Sequence, residues 1–227
     1  ANKRFLCRRD RPLGYTARHR RAAEAPRRKA ELMPDSAEGE FFVRFLEGYW
    51  AAAQLLNRAA RGGYLIEYIC LAASLVDALL RVGLTLRHQL DSRSCAIPRH
   101  LVFQGDSDEP MSERSVYSSA CAAGIIDKKL HSDLNRLYTQ RNKVVHRYII
   151  SDIKTDEMNQ IAEDYDSAIR RVSAAVALLE EEQIRSGSGM TKAGSPESRE
   201  QTVAHMKQMA SGKHGAQWLV DHLAESP

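Results

Sequence analysis

The chain has 227 residues and a formal net charge of +4, with 43% hydrophobic and 27% charged residues. This composition excludes a wholly disordered chain and a bundle of membrane-spanning helices. The charge is uneven, because the first thirty residues hold eleven Lys and Arg but only two Asp and Glu, and the remaining residues therefore carry −5. We expect a mildly acidic body that follows a basic arm, residues 1–35.

Two long amphipathic helices are predicted after the arm. Apolar residues recur at spacings of three and four from residue 42 to residue 56, which indicates a helix that ends near Gly62 and Gly63. A second helix from about residue 64 to residue 88 has a wider apolar face and should be the most buried. Its apolar stretch is interrupted by three charged residues, Glu67, Asp77 and Arg81. We therefore expect no membrane span.

Three further helices complete the predicted body. Residues 91–111 contain Pro98, Gly105 and Pro110 and indicate a long loop. Ser112 should then cap a short helix that stops at Gly124, and longer helices should cover residues 126–148 and the segment after Thr155. No strand-like alternation is present, so the predicted fold is all-α, an antiparallel helical bundle over residues 36–186.

The composition changes after the bundle. Residues 187–197 begin with Gly and Ser and indicate a flexible linker, either native or the join between two fused coding sequences. Residues 198–227 contain two short amphipathic stretches that are expected to form a docked helical appendage. The four cysteines stand apart from one another, so we expect reduced thiols, no metal site and a cytoplasmic location.

Arg141 is the residue of the fifth predicted helix that most needs an explanation. It occupies a position where the inward apolar stripe between Leu137 and Val144 should continue. A guanidinium there costs several kcal/mol unless an anion or an aqueous cleft meets it. One interpretation is structural, a buried ion pair with an acid on a neighbouring helix such as Asp77 or Glu67, and the other is a functional cation.

The surroundings of Arg141 favour the functional interpretation. An uninterrupted polar line runs beside the apolar stripe at spacings of three and four: Ser132, Asn135, Thr139, Asn142 and His146. The helix also carries six Lys and Arg against two Asp, a local charge suited to phosphates. Arg141 and His146 lie five residues apart, so they should flank a groove rather than stack on one face.

The segment Arg141-Asn142-Lys143-Val144-Val145-His146-Arg147-Tyr148 resembles the signature of the HEPN superfamily. In that signature an Arg is followed by a His after four to six positions on a long bundle helix. The Tyr two residues past the His resembles HEPN toxins paired with MNT nucleotidyltransferase antitoxins. The resemblance covers roughly residues 36–186 and extends to Gly124-Ile125-Ile126-Asp127 and Leu79-Leu80-Arg81.

The resemblance implies a two-fold homodimer with a composite cleft and a metal-independent endoribonuclease that acts as a toxin or in phage defence, with no cofactor. His146 would move the proton and Arg141 would hold the phosphate when the RNA 2′-hydroxyl attacks phosphorus. Asn142 would orient His146 or bind RNA; its ordinary alternative is a solvated polar residue. Tyr148 would line the cleft and accept AMP from an MNT-type partner, whereas a Tyr that ends an apolar stripe is more often a core residue. The residues expected to bind RNA phosphates are Lys143, Arg147 and Arg136.

The alternative is a non-catalytic HEPN-like module for dimerisation, RNA binding or regulation, in which Arg141 and His146 are structural. A third reading is a subunit of a larger assembly that docks through its arm and tail. An open cleft around Arg141 and His146 favours the enzyme, whereas Arg141 closed into a core ion pair favours the module.

Overall fold

The computed structural model describes residues 37–191 and 199–214, and these residues form seven helices and no strand. In chain order the helices are α1 (Ala37–Gly62), α2 (Leu65–Ser92), α3 (Arg99–Val102), α4 (Glu113–Ala122), α5 (Lys128–Arg147), α6 (Thr155–Ser186) and α7 (Arg199–His214). The all-α prediction is confirmed. The basic arm and the second amphipathic stretch of the tail lie outside the described residues.

The five predicted helices are present, with small differences at their ends. Ser112 caps α4 by accepting a hydrogen bond from the Ser115 amide, and Gly124 follows α4 with a φ of +69°. The predicted long loop contains the four-residue α3, which follows Pro98. α2 continues to Ser92, one turn further than its apolar period predicted.

Helix α2 lies at the centre of the bundle and contacts α1, α3, α4, α5 and α6. Twelve of its residues are buried, including Ile69, Val76 and Leu80. Among the described helices α2 alone is long and apolar enough to cross a membrane, but 56% of its most apolar window is buried inside the bundle. An amphipathic core helix in a helical bundle has the same property.

The helices are not all antiparallel to their neighbours. α5 runs antiparallel to α4 and to α6, as the short connections between them require. α2 and α6 form the largest interface and run in the same direction, because Tyr68 bonds Asp166 near their starts and Leu86 bonds Gln183 near their ends. The antiparallel prediction is therefore wrong for this pair.

The start of the predicted linker packs against the bundle. Gly187 caps α6 with a φ of +64°, and Gly189 is buried with a φ of +89° against the amide of Gln183. The Met190 amide donates to Gln89 at 3.3 Å and the Thr191 amide donates to Gln183 at 3.0 Å. The expectation of a flexible linker does not hold for residues 187–191, since these glycines serve tight backbone approach rather than flexibility.

Two buried glutamines hold this segment. Gln89 and Gln183 are both fully buried, and the Gln183 amide donates to Gln89 and to the Leu86 carbonyl at 3.0 Å each. Gln89 in turn donates to the carbonyls of Cys95 and Ala96. Because buried amides are costly unless they are hydrogen-bonded, this network ties the ends of α2 and α6 to the chain that follows each of them.

Candidate active site

Helix α5 carries the predicted site and is positioned by its buried face. Asp127 caps the helix by accepting a hydrogen bond from the Leu130 amide at 2.6 Å. The side chains of Leu130, Leu134, Leu137 and Val144 are buried between the neighbouring helices. This packing fixes the rotation of α5, and with it the directions in which its polar residues point.

Arg141 lies at the edge of the buried stripe and pairs with Glu113, the first residue of α4. Its Nη2 donates to both carboxylate oxygens at 2.9 Å, and its side chain is 19% exposed. The structural interpretation, an ion pair with an acid on a neighbouring helix, agrees with this contact, but the two acids given as examples, Asp77 and Glu67, are not the partner. Asp77 pairs with Arg81 at 2.6 Å and Glu67 with Arg58 at 3.5 Å.

Glu113 is held by a second group besides Arg141. The Tyr117 hydroxyl, which is fully buried, donates to Glu113 at 3.1 Å. Burial raises the pKa of Tyr117 far above its ordinary value, and the Glu113 charge raises it further. Burial likewise raises the pKa of Tyr165, against the opposing effect of Arg141. Both phenols therefore stay protonated. The ion pair between Arg141 and Glu113 has buried aromatic side chains on one side, where the dielectric constant is low.

Glu113 occupies only one of the three guanidinium nitrogens of Arg141. Nε is buried without a hydrogen-bond partner, and Nη1 makes no hydrogen bond to the described residues. The guanidinium also lies over the ring of Tyr138, with its carbon 5.1 Å from the ring centroid. The ion pair thus orients the side chain and leaves Nη1 as the nitrogen with unused donors, whereas Nε is closed off from solvent.

His146 is exposed in the last turn of α5 and makes no hydrogen bond or ion pair to the described residues. The half-buried Asn142 makes no hydrogen bond to His146, and its role, to orient His146 or to bind RNA, stays a prediction. The imidazole is exposed. Arg141 and His146 lie five residues apart on α5, about 140° around the helix, so they extend in different directions from its axis.

The other predicted site residues lie mostly on the surface. Lys143 and Arg147 are exposed and have no ion-pair partner in the described part of the chain. Arg136 pairs with Asp164 at 3.0 Å and also bonds Gln140, so its charge is partly used within the bundle. Tyr148 follows α5 and is 45% exposed, which places it outside the core.

An apolar surface that the sequence analysis did not identify adjoins His146. Val145 is 40% exposed, Ile149 is 94% exposed and Ile150 is 81% exposed. Together with Tyr148 these residues form what we call the α5-end patch. Helical spacing does not distinguish an apolar residue that continues a buried stripe from one that is exposed at the end of the helix. Exposed large apolar groups next to a functional motif are typical of a contact surface.

A cavity of about 300 Å³ lies elsewhere, between α3 and the loop that follows it. None of the motif residues lines it; its lining includes Arg99, His100, Phe103, Asp108 and Met111. The described residues contain no group of three His, Cys, Asp or Glu side chains suited to hold a metal ion. Comparisons with protein-family models, with curated proteins and with solved structures gave no match for this chain.

Proposed function

We propose that this protein is an endoribonuclease of HEPN type that cleaves RNA without a metal ion, as a toxin or phage-defence effector in the cytoplasm. One observation carries the proposal. α5 presents an oriented guanidinium with unused donors at Arg141 and, one and a half turns later, an exposed imidazole at His146. Lys143 and Arg147 add positive charge to the same helix, as a phosphodiester substrate requires.

The proposed reaction uses the 2′-hydroxyl of the RNA as the nucleophile. O2′ forms a bond to the adjacent phosphorus while the bond from phosphorus to O5′ breaks. One proton leaves O2′ and one proton is delivered to O5′, so the products are a 2′,3′-cyclic phosphate and a 5′-hydroxyl. A histidine titrates near neutrality and suits either transfer, and Arg141 would stabilise the charge that develops on the phosphoryl oxygens.

A homodimer would supply the second proton-transfer group. Arg141 and His146 extend from α5 in directions about 140° apart, so we propose that the cleft is formed by two copies of α5. The α5-end patch supports this arrangement, since it places Ile149 and Ile150 next to the motif and leaves them uncovered in one chain.

Replacing Ile149 by aspartate is expected to convert the dimer into a monomer that keeps its helical content. A carboxylate at this site would have to be desolvated without a partner when the two copies meet. Light scattering after size exclusion measures the mass. Leu178→Asp is the matched control, because Leu178 is 66% exposed on α6 and lies outside the patch. The dimer proposal fails if both variants keep the mass of the original protein, or if the original protein is itself a monomer.

Tyr148 is the proposed site of control by an MNT-type nucleotidyltransferase. The residue is 45% exposed at the end of α5, as a modification site requires. Transfer of AMP would add negative charge and bulk beside the cleft and would repel RNA. Mass spectrometry of the protein incubated with such a partner and ATP should show the added AMP in the Tyr148 peptide. Tyr148→Phe should abolish the modification, and an unmodified Tyr148 peptide in the active mixture would remove this part of the proposal.

A non-catalytic RNA-binding or dimerisation module is the second candidate, and the bond between Arg141 and Glu113 favours it. Half-buried ion pairs of this kind also occur as purely structural links. Incubating the purified protein with end-labelled RNA in EDTA separates the two candidates. The enzyme proposal predicts shortened RNA, whereas the module predicts a retarded complex of intact RNA.

A further inference from the structure

Two arginines contact the same aromatic ring beside the proposed site. The guanidinium carbon of Arg114 lies 4.7 Å from the ring centroid of Tyr138, and that of Arg141 lies 5.1 Å from the same centroid. Arg114 is the second residue of α4, next to Glu113, and Tyr138 is three residues before Arg141 on α5. The packing of α4 against α5 therefore places a second guanidinium within about 10 Å of that of Arg141.

The charge of Arg114 is not used within the described part of the chain. Its side chain is exposed, its Nη2 donates to the Thr139 hydroxyl at 3.2 Å, and no carboxylate lies within ion-pair distance. By contrast, the nearby Arg81 and Arg136 each have an acidic partner. The ring and the hydroxyl hold the guanidinium in one place, so less side-chain freedom is lost when a ligand binds.

The position of Arg114 does not stabilise α4. A cation in the first turn of a helix interacts unfavourably with the helix dipole, whereas Glu113 in the same turn interacts favourably. Glu113 offsets the charge of Arg141. Asp77 adds a second carboxylate nearby, since the Glu113 charge contributes to raising the pKa of Asp77. Arg114 therefore restores positive potential beside Arg141, on the side of the pair that is open to solvent.

We propose that Arg114 is a phosphate-binding residue for RNA, which holds a backbone phosphate next to the one held by Arg141. Tyr138 serves as the common support for the two guanidiniums. The inference rests on the proposed function, since it names a second contact to the same substrate. The ligand class is a phosphodiester of single-stranded RNA, which the exposed guanidinium of Arg114 can contact with planar paired donors.

The test measures RNA binding in a chain that carries His146→Ala, so that cleavage does not interfere. A fluorescent single-stranded RNA oligonucleotide is titrated at several salt concentrations. Adding Arg114→Ala should weaken RNA binding about five- to tenfold. It should also reduce the magnitude of the slope of log K against log salt concentration by about 0.7, the value expected when one phosphate contact on a single strand is lost. Arg114→Lys should retain the slope but not the full affinity, because lysine lacks the planar fork.

Arg185→Ala is the matched control. Arg185 is exposed in the last turn of α6. It lies far from Arg141, because Tyr165 is the residue of α6 whose pKa Arg141 lowers, and Arg185 is twenty residues, or about 30 Å, further along the helix. Equal affinities and slopes for Arg114→Ala and Arg185→Ala would overturn the inference. If the original protein still cleaves RNA in that case, the proposed function survives; if it neither binds nor cleaves RNA, both proposals fail.

Discussion

Replacing His146 by alanine is expected to lower the rate of RNA cleavage by about 10²- to 10⁴-fold, the range that a positioned acid or base contributes. The free energy of unfolding should not change, because His146 is exposed and makes no hydrogen bond or ion pair to the described residues. Cleavage of end-labelled RNA, together with urea unfolding of both proteins, measures the two quantities.

The matched control for this prediction is His88→Ala. His88 is also exposed, but it lies far from the motif. Cys70 is the residue of α2 whose pKa Arg141 lowers, and His88 is eighteen residues further along that helix. His88→Ala should cleave RNA at the original rate. Equal rates for the original protein and the His146 variant, after the same purification, would contradict the proposed catalytic role.

Arg141→Ala is expected to lower the stability of the fold as well as RNA cleavage. The HEPN-like interpretation of the motif predicts that either Arg141→Ala or His146→Ala abolishes RNA cleavage and leaves the fold intact. Glu113, however, is only 24% exposed and would lose the partner that bonds both of its oxygens. An unpaired, partly buried carboxylate lowers stability, so loss of activity in this variant would combine two effects.

Replacing Gln183 by leucine is expected to reduce the free energy of unfolding by about 3 kcal/mol. The amide makes three hydrogen bonds in a fully buried site, to the Leu86 carbonyl, to Gln89 and to the Thr191 amide. Leucine has a similar size but leaves the Thr191 donor without a partner and removes a donor to Gln89. Urea unfolding, monitored by circular dichroism, measures the change.

Gln160→Leu is the control for the buried-amide prediction. Gln160 is exposed on the same helix and bonds only Asp164, so this change should alter the unfolding free energy by no more than about 0.5 kcal/mol. Limited proteolysis should also cut residues 187–191 faster in the Gln183 variant, since that amide holds the segment in place. Equal stability of the two variants would mean that the buried amides do not hold this segment.

The sequence predicted the helices well because their apolar spacing is regular. The buried residues of α6, from Met158 to Leu179, follow the predicted stripe. The direction in which α2 meets α6 was not predictable in the same way, since an apolar stripe identifies a buried face but not the helix that covers it. Gly187 and Gly189 were read as linker residues because composition does not distinguish flexibility from a required positive φ.

The candidate site was predicted only in part. Arg141 stood out because it interrupts an apolar stripe, and the structure places it at the boundary between core and solvent. Its partner was not identifiable, because Glu113 lies 28 residues away and had an ordinary role as the first acidic residue of a helix. Arg114 was overlooked since its contact with Tyr138 depends on how α4 packs against α5, which local spacing does not encode.

The chemical nature of the RNA ends tests the central proposal most directly. RNA cleaved by the purified protein in EDTA is to be analysed by mass spectrometry, beside RNA treated with the His146→Ala protein. The proposed mechanism predicts fragments with a 2′,3′-cyclic phosphate and a 5′-hydroxyl from the original protein and intact RNA from the variant. Fragments with 3′-hydroxyl and 5′-phosphate ends, or the same fragments from both proteins, would contradict it.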